Sequence, residues 1–393
     1  MYLGGNKNIM NKKEITNILH HYKEENMPFG AVSPPIFQTS IFSFKSFDDF
    51  SKALNDETNN YLYTRGNNPT INILEEKIAA LENGEKAKLF ASGVAAIASS
   101  IMAFVKSDDH IISVKDCYSW TWKLFEEYLS RFKIEHTFVE GTDIGKIKDA
   151  IKLKTKIIYL ESPTTFTFKL QDLKQIAIIA KEQRIRTIID NSWATPYFQQ
   201  PIKMGIDLVV HSVSKYLGGH SDLVAGVVIG KKEDIEHIFK TEFLNIGAVP
   251  DPFSGWLILR GLRTLHIRMQ RHFESTMEIT KYLSKHSKIE KVIYPFLRSH
   301  PQFELAKQQM SGGSGLFSIK LATGDVNRIR KFVDKLHFFK KAVSWGGYES
   351  LIFPYAASHL DAPDNLKSLV RIHIGLEEPE MLIEDLENAL KYL

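Results

Sequence analysis

The chain has 393 residues, 44% of them hydrophobic and 24% charged, enough to bury a sizeable core and to span about two domains at roughly 150 residues each. Its 50 basic and 46 acidic side chains leave a formal net charge of +4 with no dense Lys/Arg block, so a nucleic-acid partner is not expected. A single cysteine, Cys117, excludes an internal disulfide, and no run of about 18 apolar residues offers a membrane span; with no signal-peptide core near the start, a cytoplasmic protein is expected.

Residues 1 to about 60 read as a polar N-terminal arm, marked by the "SPP" of residues 33–35 and short apolar pieces such as "IFQTSIF". A large α/β domain over residues 61–255 comes next. It opens with a helix over "TINILEEKIAALENG", with Ile71, Leu74, Ile78 and Leu81 on one face, Thr70 as cap and Asn83–Gly84 as stop. Strands are then expected at "KAKLF", "HIISV", "KIIYL", "RTIID", "IDLVVH" and "AGVVIG", and a buried helix at "GVAAIASSIMAFV". Continuous apolar strands alternating with helices predict a mostly parallel central sheet covered on both faces. A smaller α+β domain over residues 256–393 carries a long helix interrupted near Gly261, strands "KVIYP", "GLFSIKL" and "LVRIHIG", and a closing helix.

In open parallel sheets ligands bind beyond the carboxyl ends of the strands. The residues just past each expected strand are therefore informative: Ser92-Gly93-Val94, then Asp116-Cys117-Tyr118, Glu161-Ser162-Pro163, Asp190-Asn191-Ser192, and Ser212-Val213-Ser214-Lys215. Alone, each has an ordinary explanation: a lysine after a strand is commonly a solvated charge, and Asp-Asn a turn. Together they suit pyridoxal 5'-phosphate, which needs an amine for its aldehyde, a carboxylate for its ring nitrogen, an aromatic plane and donors for its phosphate. Lys215, Asp190 and Tyr118 fill the first three needs. Gly93 and Val94 at a helix N-terminus, with the hydroxyls of Ser212 and Ser214, fill the last.

Competing motifs are weaker. There is no G-x-x-x-x-G-K-[ST], "GGSG" at residues 312–315 is not a dinucleotide fingerprint, and His220 and Asp222 lack a third metal ligand, so no metal is expected.

"SVSKYLGGHSD" resembles the lysine motif of the Cys/Met-metabolism pyridoxal-phosphate enzymes, a family of cystathionine γ-synthases, cystathionine lyases, methionine γ-lyases and sulfhydrylases. "YLYTRGNNPT", "SGVAAI", "ESP", "IDNSWATP" and "RGLRTLHIRMQRH" keep that family's order. The resemblance implies the fold type I, aspartate-aminotransferase-like architecture. It also implies that Tyr63 and Arg65 reach the cofactor phosphate of a neighbouring subunit, so that active sites are shared in a homo-oligomer, usually a tetramer. Arg371, by the same likeness, binds the substrate α-carboxylate, with Ser344 beside it.

Within the family, "SWGGYESLI" and "LVRIHIGLEE" look most like the bacterial cystathionine β-lyases, where an indole at the position of Trp345 lies beside the substrate. Two departures accompany this. Thr165 stands where many relatives have an asparagine, and Trp120 where methionine γ-lyases carry a reactive cysteine; Cys117 is read as structural. The expected activity is cleavage of L-cystathionine to homocysteine, pyruvate and ammonia, with Lys215 as base and Tyr118 assisting. γ-Elimination or γ-replacement by the same site is the alternative.

Overall fold

The computed structural model describes residues 10–393; residues 1–9, the start of the expected arm, lie outside the described residues. Seven strands form the larger sheet: β1 (Lys86–Phe90), β2 (His110–Val114), β3 (Glu135–Val139), β4 (Thr155–Glu161), β5 (Arg186–Asp190), β6 (Leu208–Ser212) and β7 (Gly226–Gly230). Their order is β1-β7-β6-β5-β4-β2-β3, parallel throughout except for β7, which opposes both of its neighbours. Every residue of β2 and β7 is buried, as expected of strands covered on both faces. The reversal at β7 has a consequence for chemistry. Because β7 returns directly beside β6, the segment 213–225 that carries Lys215 stays at the carboxyl end of the sheet instead of crossing one of its faces.

β3 was not among the expected strands. It is an edge strand of sequence "EHTFV", mostly part-exposed, and its polar alternation is weak beside the apolar runs of its neighbours. The helix Pro69–Glu82 is capped by Asn68, not Thr70, because Pro69 presets the first helical residue and moves the cap two positions earlier. Thr70 Oγ1 instead donates to Pro35 O at 2.9 Å and accepts the Phe37 N–H at 2.9 Å, pinning the arm to the domain. The arm also holds a helix, Lys12–His20, which buries Ile15, Ile18 and Leu19.

The second sheet has strands β8 (Ile289–Ile293), β9 (Leu316–Leu321), β10 (Lys340–Lys341), β11 (Leu351–Pro354) and β12 (Leu369–His373), in the order β10-β11-β12-β9-β8. All its pairs are antiparallel except β10–β11. The helices Leu265–Leu283 and Val326–Asp334 both pack on the closing helix Pro379–Leu390. The expected interruption near Gly261 is a break between the helices Pro252–Leu262 and Leu265–Leu283. Just beyond it, Arg268 donates to Tyr216 O and Gly261 O, each at 2.8 Å, which ties this helix to the Lys215 segment. Buried apolar residues of both sheets form one continuous core.

Candidate active site

The carboxyl ends of β4, β5 and β6 bring the expected groups together. Glu161 and Asp190 are register partners at the ends of β4 and β5. Ser212 ends β6, and the Lys215 N–H closes a turn onto Ser212 O at 3.1 Å. Asp190 Oδ1 accepts the Ser192 N–H at 2.9 Å, and Ser192 Oγ accepts the Ser212 N–H at 2.6 Å, so the carboxylate and the lysine turn share one brace.

The Lys215 amine makes no hydrogen bond or ion pair among the described residues, and lies 5.7 Å from the centre of the Trp345 ring. Burial, and the Arg371 cation next, lower its pKa to about 8, while Asp190 acts in the opposite sense. Roughly a tenth of such amines are neutral at pH 7, against well under a thousandth for an ordinary lysine. Asp190 titrates above its ordinary value, chiefly through burial, with the Ser192 hydrogen bonds opposing.

Glu161 has a part that its place in the sequence did not suggest. It is buried, its Oε2 accepts the Tyr118 N–H at 2.7 Å, and its Oε1 accepts the Thr165 N–H at 2.7 Å. Burial and the facing Asp190 raise its pKa to about 8. One carboxyl group thus sets both the aromatic that comes after β2 and the loop that comes after β4. The Tyr118 side chain is exposed, and its hydroxyl is raised by partial desolvation and by Asp190.

Arg371, on β12, reaches the same cleft. Its guanidinium lies 4.9 Å from the Phe166 ring and 5.4 Å from the Phe353 ring, and one Nη donates to Thr165 Oγ1 at 3.4 Å. No carboxylate pairs with it among the described residues. Burial lowers its pKa to about 10, with Glu161 and Tyr118 opposing. A part-buried guanidinium held against two rings and lacking a counter-ion is a site for an anion. The two rings were not read from sequence; an aromatic next to a motif threonine looks like packing until the fold brings Arg371 to it. Ser344, exposed and left-handed at φ +77°, precedes Trp345, which packs on Tyr216 with ring centres 5.4 Å apart.

Gly93 starts the helix Gly93–Met102. Ser92, its cap, accepts the N–H groups of Ala95 and Ala96, so those of Gly93 and Val94 face out of the helix start. Gly93 lies against Ser212, where a Cβ would stand 2.9 Å from both Cβ and Oγ of that serine. Ser214 Oγ bridges Ala225, donating to its carbonyl at 3.2 Å and accepting its N–H at 3.0 Å. Tyr63 and Arg65 are exposed, with the guanidinium 5.3 Å from the Tyr63 ring; their side chains make no bond to the cleft of their own chain. His220 Nδ1 bonds Gly218 O at 2.8 Å, and no cluster that could hold a metal occurs among the described residues. Cys117 is buried, and burial raises its thiol far above the ordinary range.

The donor set fits pyridoxal 5'-phosphate. An unpaired amine, a carboxylate braced by Ser192, and a glycine that brings a helix N-terminus onto a serine hydroxyl are the complements of an aldehyde, a ring nitrogen and a phosphate. Gly93→Ala is expected to drive Ser212 and the helix start apart and to weaken cofactor retention by about tenfold or more, measured by equilibrium dialysis of the purified protein.

A family model for Cys/Met metabolism PLP-dependent enzymes matches residues 15–391. The chain is 37% identical to L-methionine gamma-lyase of Treponema denticola, over 98% of this chain and 100% of that one. It is 38% identical to cystathionine beta-lyase of Lactococcus lactis subsp. cremoris, over 96% and 98% of the two chains. A crystal structure of metB from Corynebacterium glutamicum superposes with a TM-score of 0.89 at 33% identity, covering 96% of this chain and 97% of that one. The fold is therefore the expected fold type I α/β architecture. The chain belongs to the Cys/Met metabolism PLP-dependent enzyme family, whose cofactor, pyridoxal 5'-phosphate, matches the groups gathered around Lys215.

Proposed function

We propose that this protein is a carbon–sulfur β-lyase that cleaves L-cystathionine to homocysteine, pyruvate and ammonia. The observation that carries this reading is Trp345, whose indole lies 5.7 Å from the Lys215 amine and sets an apolar wall beside it. Arg371 takes the substrate α-carboxylate, and Thr165 Oγ1, already within reach of the guanidinium, keeps the fork oriented. Ser344 lies at the rim beside Trp345.

Lys215 would hold the cofactor through its amine, and Asp190 would pair with its ring nitrogen. Tyr118 would lie against the ring, and Gly93, Val94, Ser212 and Ser214 would hold the phosphate. Bound pyridoxal phosphate supplies an electron sink that makes the Cα proton acidic. Once the substrate amine has displaced it from the cofactor, Lys215, neutral in part because burial and Arg371 lower its pKa, takes that proton at Cα. The Cβ–S bond then breaks with its electrons going to sulfur, and a proton returns to the thiolate to give homocysteine. The remaining three-carbon unit takes up one water and leaves as pyruvate and ammonia.

Tyr63 and Arg65 are assigned to the phosphate of a second copy. The exposed apolar side chains of Phe29, Val32, Ile41, Phe47 and Leu54 nearby in the chain support a homo-oligomer that covers this arm.

A second reading is favoured by the relatives named L-methionine gamma-lyase, as similar as those named cystathionine beta-lyase. γ-Elimination adds one proton removal at Cβ, which the same lysine can perform. Incubation with L-cystathionine, then identification of keto acid and thiol, tests the two. Pyruvate with homocysteine is expected; 2-oxobutyrate as the main keto acid, from L-cystathionine or L-methionine, would establish the second.

A further inference from the structure

Trp345 sits in an unusual piece of backbone. Ser344 has φ +77° and Gly346 has φ +88°, so left-handed residues flank the indole on both sides. For serine that conformation is costly and persists only where the surroundings impose it. Gly346 presses on the lysine turn, where a Cβ would stand 2.9 Å from both Cα and Cβ of Lys215. Close packing alone leaves open what prevents the turn from lifting away.

We propose that His373 is the positioning residue for Trp345: its imidazole pins the Gly346 turn and thereby fixes the indole beside the Lys215 amine. His373 is buried at the end of β12, two residues beyond Arg371. Its Nε2 lies 2.9 Å from the Gly346 amide N, and its Nδ1 lies 3.1 Å from Glu349 O. An amide N–H can only donate and a carbonyl can only accept. The ring is therefore the neutral tautomer with its proton on Nδ1, accepting at Nε2. A protonated ring would set an N–H against the Gly346 N–H.

The surroundings keep the ring neutral. Burial lowers its pKa well below the ordinary value, and His272, with its ring centre 5.3 Å away, and Arg371 act in the same direction. Tyr216 completes the wall, 5.7 Å from His373 and 5.4 Å from Trp345. One strand thus carries the carboxylate anchor, Arg371, and the brace of the indole, His373. The distance between the anchored end of a substrate and the apolar wall that meets its far end is set by a single element.

This inference rests on the proposed role of Trp345 in substrate contact, and the experiment separates the two. The five tryptophans of the holoenzyme are labelled with 5-fluorotryptophan, and the Trp345 fluorine resonance is assigned by its loss in Trp345→Phe. In His373→Leu, which removes the acceptor, that resonance is expected to shift or broaden while the other four hold. His373→Gln, whose amide oxygen can take the Gly346 N–H, should restore it. kcat/KM for L-cystathionine should fall by about tenfold in His373→Leu, and by less than about twofold when the same change is made in Trp345→Ala. If His373→Leu fails to hold the cofactor, His373→Phe, an apolar ring that offers no acceptor, takes its place in the comparison. An unmoved Trp345 resonance, equal movement of all five, or equal rate losses in both backgrounds would overturn the proposal. A moved resonance with unchanged kcat/KM would uphold the brace and overturn substrate contact by Trp345.

Discussion

Lys215→Ala is expected to abolish turnover, with kcat falling by at least about 10²- to 10⁴-fold, the range for removal of a positioned general base. The loss should exceed that range where the amine is also the point of covalent attachment, because two functions disappear with one group. The visible absorption of the bound cofactor should vanish with it, and borohydride treatment of the wild-type holoenzyme should leave the cofactor on the peptide containing Lys215. Folding should not suffer. The amine is half-buried without a counter-ion, and its pKa falls from 10.5 to about 8 on folding. The unfolded chain therefore holds more protons between about pH 8 and 10.5, so in this window the group's contribution makes stability rise with pH. Below pH 8 the cost of burying this cation is fully present, and the alanine variant escapes it. At pH 7 the cofactor-free variant should melt no lower than the cofactor-free wild type. A variant that kept a tenth of wild-type activity would end the assignment of Lys215.

The placement of Lys215 is legible in residues 206–230 because strands buried on both faces read as unbroken apolar runs, which makes their ends visible. "IDLVVH" and "RTIID" place Lys215 and Asp190 at adjacent strand ends, and β6 beside β5 is what the structure shows. The hidden features depend on partners distant in the chain. Arg371 meets Thr165 across 206 residues, and His373 meets Gly346 across 27, so neither contact leaves a local pattern. Glu161 was visible as a residue but not as a brace, since its two acceptors serve backbone N–H groups, which nearly every position carries. The sheet edge was hidden for another reason: the exposed strand β3 needs no apolar run, and its Glu135 and His136 suit solvent.

Arg371→Leu is expected to lower kcat/KM for an α-amino acid substrate by about 10²- to 10³-fold, mostly through KM, as for loss of one partner of a hydrogen-bonded charge pair. Arg371→Lys should recover little of this, because a point charge cannot offer the two parallel N–H groups that a carboxylate accepts. Stability should behave differently. In the free protein the guanidinium has no carboxylate partner among the described residues, and burial already lowers its pKa to about 10. Leucine gives up contacts with Phe166 and Phe353 worth about 0.5–2 kcal/mol, but it also removes a part-buried, unpaired cation, and the two effects offset. The melting temperature should move by no more than a few degrees. A substrate analogue without the carboxylate isolates the role. Wild-type and Arg371→Leu enzymes should process such an amine at the same low rate, since the group that tells them apart is missing from the ligand. If the variant lost as much on the decarboxylated analogue as on the amino acid, Arg371 would be shaping the cleft or the acidity of Lys215 and not gripping the carboxylate.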